Sequence, residues 1–88
     1  MKVLVDRSFE KDIAGVSNQK LLARLADVIE HIESCNTIAE IPNLKKLKGA
    51  SDCFRIRIGD YRIGLRVNAN EIKLIRFLLR KDIYKKFP

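Results

Sequence analysis

Residues 53–67 read CFRIRIGDYRIGLRV, and this stretch decides the fold. Apolar and polar residues alternate on both sides of a central Gly59-Asp60 pair. Alternation on both sides of a two-residue spacer of this kind is typical of a β-hairpin, because successive side chains of a strand point to opposite faces. The sequence therefore predicts a hairpin with one apolar face, and with a second face that carries Arg55, Arg57, Arg62 and Arg66.

The net charge of +7 is concentrated in the same half of the chain as this hairpin. Residues 1–44 hold five Lys or Arg and seven Asp or Glu, whereas residues 45–88 hold thirteen and four. A one-sided positive charge suits a polyanionic partner such as RNA, DNA, an anionic membrane or an acidic protein segment. A basic surface kept only for solubility is the alternative, although solubility does not require charge on one side.

The length and composition predict one soluble domain that spans residues 1–88, since two domains would each be too small to bury a core. No apolar run approaches the ~18–20 residues that cross a bilayer, and no signal peptide is recognisable. We therefore expect a cytoplasmic protein that does not bind a membrane. Cys35 and Cys53 form no CxxC pair, and with one histidine they are too few for a zinc site. We expect free thiols, no metal and no cofactor.

The residues before the hairpin predict a strand and two helices. Residues 1–7 alternate briefly, and Ser8 stands where the N-cap of a helix over residues 8–16 belongs. A second helix is expected over residues 18–34, because its apolar residues recur at a helical spacing. Residues 36–50 are expected to be a connector with one turn of helix.

The residues after the hairpin predict one more strand and a short helical segment. In residues 71–78 apolar side chains occur at both odd and even positions, which is typical of a strand covered on both faces. Residues 80–87 are expected to close the chain as a helical turn or short helix. The order β-α-α-β-β-β predicts an α+β domain, with two N-terminal helices packed on a mostly antiparallel four-stranded sheet.

The candidates for chemistry are basic and aromatic side chains. The chain has no P-loop, nucleophile elbow, HExxH motif or paired catalytic carboxylates. The remaining candidates are Arg55, Arg57, Arg62, Arg66, Arg80, Lys45, Lys46, Lys48 and Tyr84. Clustered guanidinium groups bind phosphodiester oxygens and stabilise charge at a phosphorus under attack, and a tyrosine ring stacks on a base. Taken singly, each such residue is more often part of a solvated face or of ordinary packing.

Three motifs, LKG at residues 47–49, FRIRIGDYRIGLRV at residues 54–67 and LRKDIY at residues 79–84, carry a family resemblance. Together with the element order, they resemble the RelE/ParE superfamily of bacterial toxins over nearly the whole chain. The resemblance implies the toxin of a type II toxin–antitoxin module. In the RelE branch it implies an endoribonuclease that cuts mRNA in the ribosomal A site. The ribose 2′-hydroxyl attacks the adjacent phosphate, without a metal.

The resemblance also implies roles for the basic residues. Arg55 and Arg57 match a basic pair on the second strand, and Arg62 matches an arginine assigned to transition-state stabilisation. Arg80 matches the arginine after the last strand, and Tyr84 matches a tyrosine that stacks on RNA. Lys45, Lys46, Lys48 and Arg66 are expected to bind RNA. Many relatives carry a histidine where this chain has leucine, at position 79, and arginine is a poor base. The proton acceptor is therefore not identified by the sequence.

Two further functions stay open. A ParE-like toxin on the same fold inhibits DNA gyrase by binding and performs no chemistry. A non-enzymatic basic module that binds nucleic acid is the third possibility. The expected partners are the ribosome and mRNA for the nuclease. For any toxin we also expect an acidic, partly disordered antitoxin that covers the positive face.

Overall fold

The computed structural model describes the whole chain, residues 1–88. In chain order its elements are β1 (Lys2–Val5), α1 (Arg7–Ala14), α2 (Gln19–Ser34), β2 (Leu44–Lys46), β3 (Cys53–Ile58), β4 (Tyr61–Asn68), β5 (Glu71–Leu79) and α3 (Arg80–Lys86), with a turn of 3-10 helix at Ile38–Glu40. The strands form one sheet in the order β1-β5-β4-β3-β2. Every neighbouring pair is antiparallel except β1 and β5. The predicted α+β class is confirmed.

The predicted hairpin is formed by β3 and β4. Ile58 pairs with Tyr61 and Arg57 with Arg62, so that Gly59 and Asp60 alone make the turn. Gly59 has a φ of 58°, a left-handed conformation that glycine adopts without steric cost. The predicted bounds of β3 agree with the structure because its alternation is unbroken and its turn residue is a glycine.

The sheet has five strands, so the prediction of four was wrong. The additional strand, β2, lies in the expected connector and pairs with β3, which places Lys45 opposite Arg55. A strand of three residues is too short to show a period of two. The N-cap of α1 is also different from the prediction. Asp6 caps the helix, since its carboxylate accepts a hydrogen bond from the Ser8 backbone N–H at 3.1 Å.

The main core lies between the two N-terminal helices and one face of the sheet. Its fully buried side chains are Phe9, Ile32, Ile56, Ile58, Ile63, Leu65, Ile72, Leu74 and Phe77. Full burial of such a side chain contributes about 1.5–3 kcal/mol. This core therefore holds the apolar face of the hairpin against the helices, as the alternation predicts. No helix of the chain has both the length and the apolar character needed to cross a membrane.

The opposite face of the sheet is partly covered by α3. Ile83 and Phe87 pack with Cys53 in a second, smaller core. A Cβ built on Gly64 would lie 2.7 Å from the Phe87 ring, so only glycine lets this ring approach β4 so closely. A β-bulge is present as a register shift between Gly64 and Leu65. The second core thus fixes α3 across the arginine face and leaves only part of that face open.

The free edge of β5 is covered by α1. β1 pairs only with residues 71–74 of β5. Beyond that point the Ser8 hydroxyl donates to the Ile75 carbonyl at 2.6 Å, and the Asp12 carboxylate accepts from the Phe77 N–H at 2.9 Å. Asp12 also accepts from Arg76 Nε at 2.7 Å and Nη2 at 3.0 Å. These bonds satisfy backbone groups that an open edge strand would leave unpaired.

Candidate active site

Arg62 is the one charged residue that the fold buries. It is 6% exposed, and its Nη1 donates to the carbonyls of Gly59 and Tyr61, each at 2.9 Å. Its Nε has no hydrogen-bond partner. Arginine is rarely buried without an acidic partner, because desolvation of its charge is costly. The buried guanidinium of Arg62 is therefore energetically unfavourable for the folded state.

Four arginines meet around this point, and we call them the arginine cluster: Arg55, Arg57, Arg62 and Arg80. Burial lowers the pKa of Arg62, and the charges of the other three lower this pKa further, whereas Tyr84 acts in the opposite direction. The three ion pairs of the protein, Lys2–Glu71, Lys73–Asp6 and Arg76–Asp12, include none of the four. Positive charges that repel each other without a carboxylate between them form a site for an anion.

The cluster opens into two depressions that share Tyr84, and together we call them the groove. The larger, about 610 Å³, is lined by Asp60, Leu79, Arg80, Lys81 and Tyr84. The smaller, about 320 Å³, is lined by Lys45, Lys46, Leu47, Lys48, Arg55, Tyr84 and Pro88. Tyr84 is 57% exposed, so that its ring is available for stacking where the two depressions meet.

The structure therefore brings together eight of the nine candidate residues. The other four predicted catalytic residues lie around buried Arg62, and the three predicted RNA-binding lysines line the smaller depression. Arg66 lies apart, in another depression with Asp52, Glu71 and Lys73. It follows Arg62 by four residues on the same strand, a span of about 13 Å. Its neighbours include two carboxylates, so this depression does not share the uniform positive charge of the groove.

Three residues near the groove were missed by the sequence prediction. Lys81 and Asp60 line the larger depression. Arg24 reaches the hairpin turn from α2, where its Nη1 lies 3.3 Å from the position that a Cβ on Gly59 would take. Lys81 lies within the LRKDIY motif, and Asp60 was visible only as a turn residue. No sequence pattern pointed to Arg24, because an arginine on a helix is ordinarily exposed to solvent.

The two cysteine thiols do not line the groove. No group of three or more His, Cys, Asp or Glu side chains is placed to hold a metal ion. Cys35 and Cys53 are free and buried. Burial raises the pKa of the Cys53 thiol, which disfavours the reactive thiolate. What the site offers is a positive groove with an exposed aromatic ring, the combination that binds a single-stranded nucleic acid.

Fold and groove define a small basic α+β protein with a positively charged groove, and comparison with known proteins gives the family. Residues 3–84 match the family model of the ParE toxin of type II toxin–antitoxin system, parDE. Toxin RelE3 of Methanocaldococcus jannaschii is 39% identical over 89 residues, which cover all of both chains. The chain belongs to the RelE/ParE superfamily of type II toxin–antitoxin toxins.

Two solved structures agree with this assignment. The toxin of the RelB-RelE antitoxin-toxin complex from Methanococcus jannaschii has a TM-score of 0.81 and 36% identity, over 97% of this chain and 99% of that one. An archaeal RelE-RelB complex from Pyrococcus horikoshii has a TM-score of 0.72 over 90% of this chain and 93% of that one. Its identity is 24%, so it supports the fold alone.

The contact between Gly64 and Phe87 gives a test of how the site is held. Gly64→Ala should force the Phe87 ring away from β4, because the new Cβ would lie 2.7 Å from it. Overpacking of this kind costs about 1–3 kcal/mol and should loosen α3, which carries Arg80 and Tyr84. Denaturant unfolding and RNA binding measure the two effects. In the control Gly15→Ala, the new Cβ meets only a backbone oxygen at 3.6 Å. Equal stability of the two variants would contradict the prediction.

Proposed function

We propose that this protein is the toxin of a RelBE-type module, and that it is a ribosome-dependent, metal-independent mRNA endoribonuclease that stops translation in the cytoplasm. The observation that carries the proposal is the arginine cluster around buried Arg62, which has no acidic partner and lies beside exposed Tyr84. A binding module needs charge on its surface. Burial of a repelled guanidinium is more costly, and is typical of a site that stabilises charge as it develops.

The chemistry assigns each part of the groove a task. The ribose 2′-hydroxyl attacks the adjacent phosphorus, and the arginine cluster stabilises the additional negative charge on the phosphoryl oxygens. Tyr84 stacks on a base and holds the scissile nucleotide in place. Lys45, Lys46 and Lys48 bind phosphates of mRNA or ribosomal RNA in the smaller depression. Arg66, in its own depression, contacts a phosphate further along the RNA.

An acidic antitoxin is the expected inhibitor of this groove. Relatives of the chain are described in complexes of RelE with RelB. A negatively charged segment that lies over the arginine cluster would compensate the repulsion that is unrelieved in the free toxin, and would exclude RNA at the same time.

A gyrase inhibitor is the second candidate, because the matching family model is that of the ParE toxin. Such a toxin acts by binding and has no need of a buried arginine beside an exposed tyrosine. The nuclease is favoured for that reason.

Induced expression distinguishes the candidates. We expect mRNA to be cut within minutes and the DNA-damage response to remain silent. Arg80→Ala should lower the cleavage rate by about 10²-fold or more, because it removes charge from the reacting phosphate. Primer extension on a reporter mRNA and an SOS reporter give the two readouts. Lys11→Ala, an exposed change on α1, is the control that should behave as wild type.

The other outcomes are equally informative. SOS induction with intact mRNA would establish the gyrase inhibitor. Intact mRNA, no SOS response and normal growth at full expression would indicate a non-enzymatic module.

A further inference from the structure

Asp60 is the one side-chain carboxylate that lines the groove. It lies in the larger depression with Arg80, Lys81 and Tyr84, and no acidic residue lines the smaller one. Its position is fixed from two sides. It is the second residue of the hairpin turn, and its backbone carbonyl accepts a hydrogen bond from the Arg80 N–H at 2.8 Å. The turn and the start of α3 therefore fix the backbone of Asp60 next to Arg80, and both residues line the same depression.

If the groove served only to bind RNA, a carboxylate in it would be unfavourable. Like charges 4 Å apart repel by about 1 kcal/mol in bulk water, and by more near a protein surface, so Asp60 weakens the hold on any phosphate. Its side chain forms no ion pair that would give it a structural task. The turn itself depends on the left-handed backbone of Gly59 and on the Asp60 carbonyl, neither of which requires a carboxylate.

The reaction proposed above lacks a proton acceptor, and the groove offers few. Arginine does not deprotonate in proteins, which excludes the whole arginine cluster. His31, the only histidine, lines neither depression of the groove; it lines a separate pocket, which Arg57 of the cluster also borders. Lysine and tyrosine are ordinarily protonated at neutral pH, whereas a carboxylate is ordinarily ready to accept a proton.

We propose that Asp60 is the catalytic residue that accepts the 2′-hydroxyl proton, an inference that rests on the proposed endoribonuclease function. As the proton moves to the Asp60 carboxylate, the O2′–P bond forms and the P–O5′ bond breaks. O5′ takes a proton from water in the open depression, and Asp60 returns its proton to solvent. The products are a 2′,3′-cyclic phosphate and a 5′-hydroxyl, with no net change in protons.

Asp60→Asn tests this assignment, because asparagine keeps the size of the side chain and its suitability for a turn. We expect cleavage of ribosome-bound mRNA to slow by about 10²–10⁴-fold, the usual contribution of a general base. Affinity for an mRNA with a 2′-deoxy group at the cut site should be unchanged or higher, since a negative charge is removed. The rise of the rate with pH on the acid side should disappear in Asp60→Asn and persist in Asp60→Glu.

Glu30→Gln is the control, as Glu30 is an exposed carboxylate of α2 that lines neither depression of the groove. Wild-type cleavage rates in Asp60→Asn would overturn the inference and leave the proposed function standing. The inference would also be overturned if the cleavage rate of Asp60→Asn fell only as much as its RNA affinity or its folded fraction. A wild-type protein that does not cut mRNA overturns both.

Discussion

Arg62→Met is expected to lower the rate of mRNA cleavage by about 10²–10³-fold while it changes the free energy of unfolding by no more than about 1 kcal/mol. The guanidinium is anchored through Nη1 to the carbonyls of Gly59 and Tyr61. An anchored donor stabilises charge without reorganisation during the reaction, so its removal affects the transition state directly. Single-turnover cleavage and denaturant unfolding of the same preparation measure the two quantities.

The small effect on stability follows from the electrostatics of the buried charge. Burial and three neighbouring arginines lower the pKa of Arg62, which means that its charged form is less favourable in the folded than in the unfolded chain. The folded state is therefore destabilised at every pH below that lowered pKa, and relief comes only as the pH rises through it. Because arginine keeps its charge over the accessible range, the penalty is present throughout. Methionine removes this penalty, and that gain offsets the two lost hydrogen bonds.

Arg7→Met is the matched control, since it makes the same change on the exposed face of α1. It should leave both quantities unchanged. A loss of several kcal/mol in Arg62→Met, with cleavage reduced only in proportion to the unfolded fraction, would mean that Arg62 is a structural residue.

The sequence was sufficient for those parts of the fold that depend on local pattern. β3 was predicted with its observed bounds, Cys53–Ile58, because alternation and a glycine turn are both local signals. The helix α2 was predicted to within one residue for the same reason. The strand β2 was missed, since three residues carry no period and two of them are lysines.

The identities of the site residues were predictable, but their unequal environments were not. The alternation of apolar and polar residues places four arginines on the same face of the hairpin and does not distinguish between them: Arg55, Arg57, Arg62 and Arg66. In the structure Arg62 is buried, Arg66 lies at the far end of the sheet, Arg55 lines the smaller depression of the groove, and Arg57 borders a separate pocket with His31. Long-range packing causes the difference, because α3 is fixed by the contact of Phe87 with Gly64 and decides which part of the face remains open. No local pattern encodes where a C-terminal helix returns to the sheet.

The Asp12–Arg76 pair is the place where we expect the largest effect on stability alone. Asp12→Ala should lower the free energy of unfolding by about 3 kcal/mol, because it leaves a partly buried guanidinium and the Phe77 N–H without their acceptor. The Asp12 hydrogen bond raises the pKa of Arg76, which means that this partner favours the charged form in the folded state. Urea unfolding followed by circular dichroism measures the change.

The control breaks a different ion pair, that of Lys2 with Glu71, in which the charges are 4.0 Å apart and well exposed. Glu71→Ala should cost less than about 1 kcal/mol, the usual limit for a surface pair. Neither variant touches the groove, so cleavage per folded molecule should equal that of the wild type in both. Comparable stability losses in the two variants would contradict the role of Asp12 at the β5 edge. A loss of cleavage by folded Asp12→Ala would mean that this edge communicates with the arginine cluster.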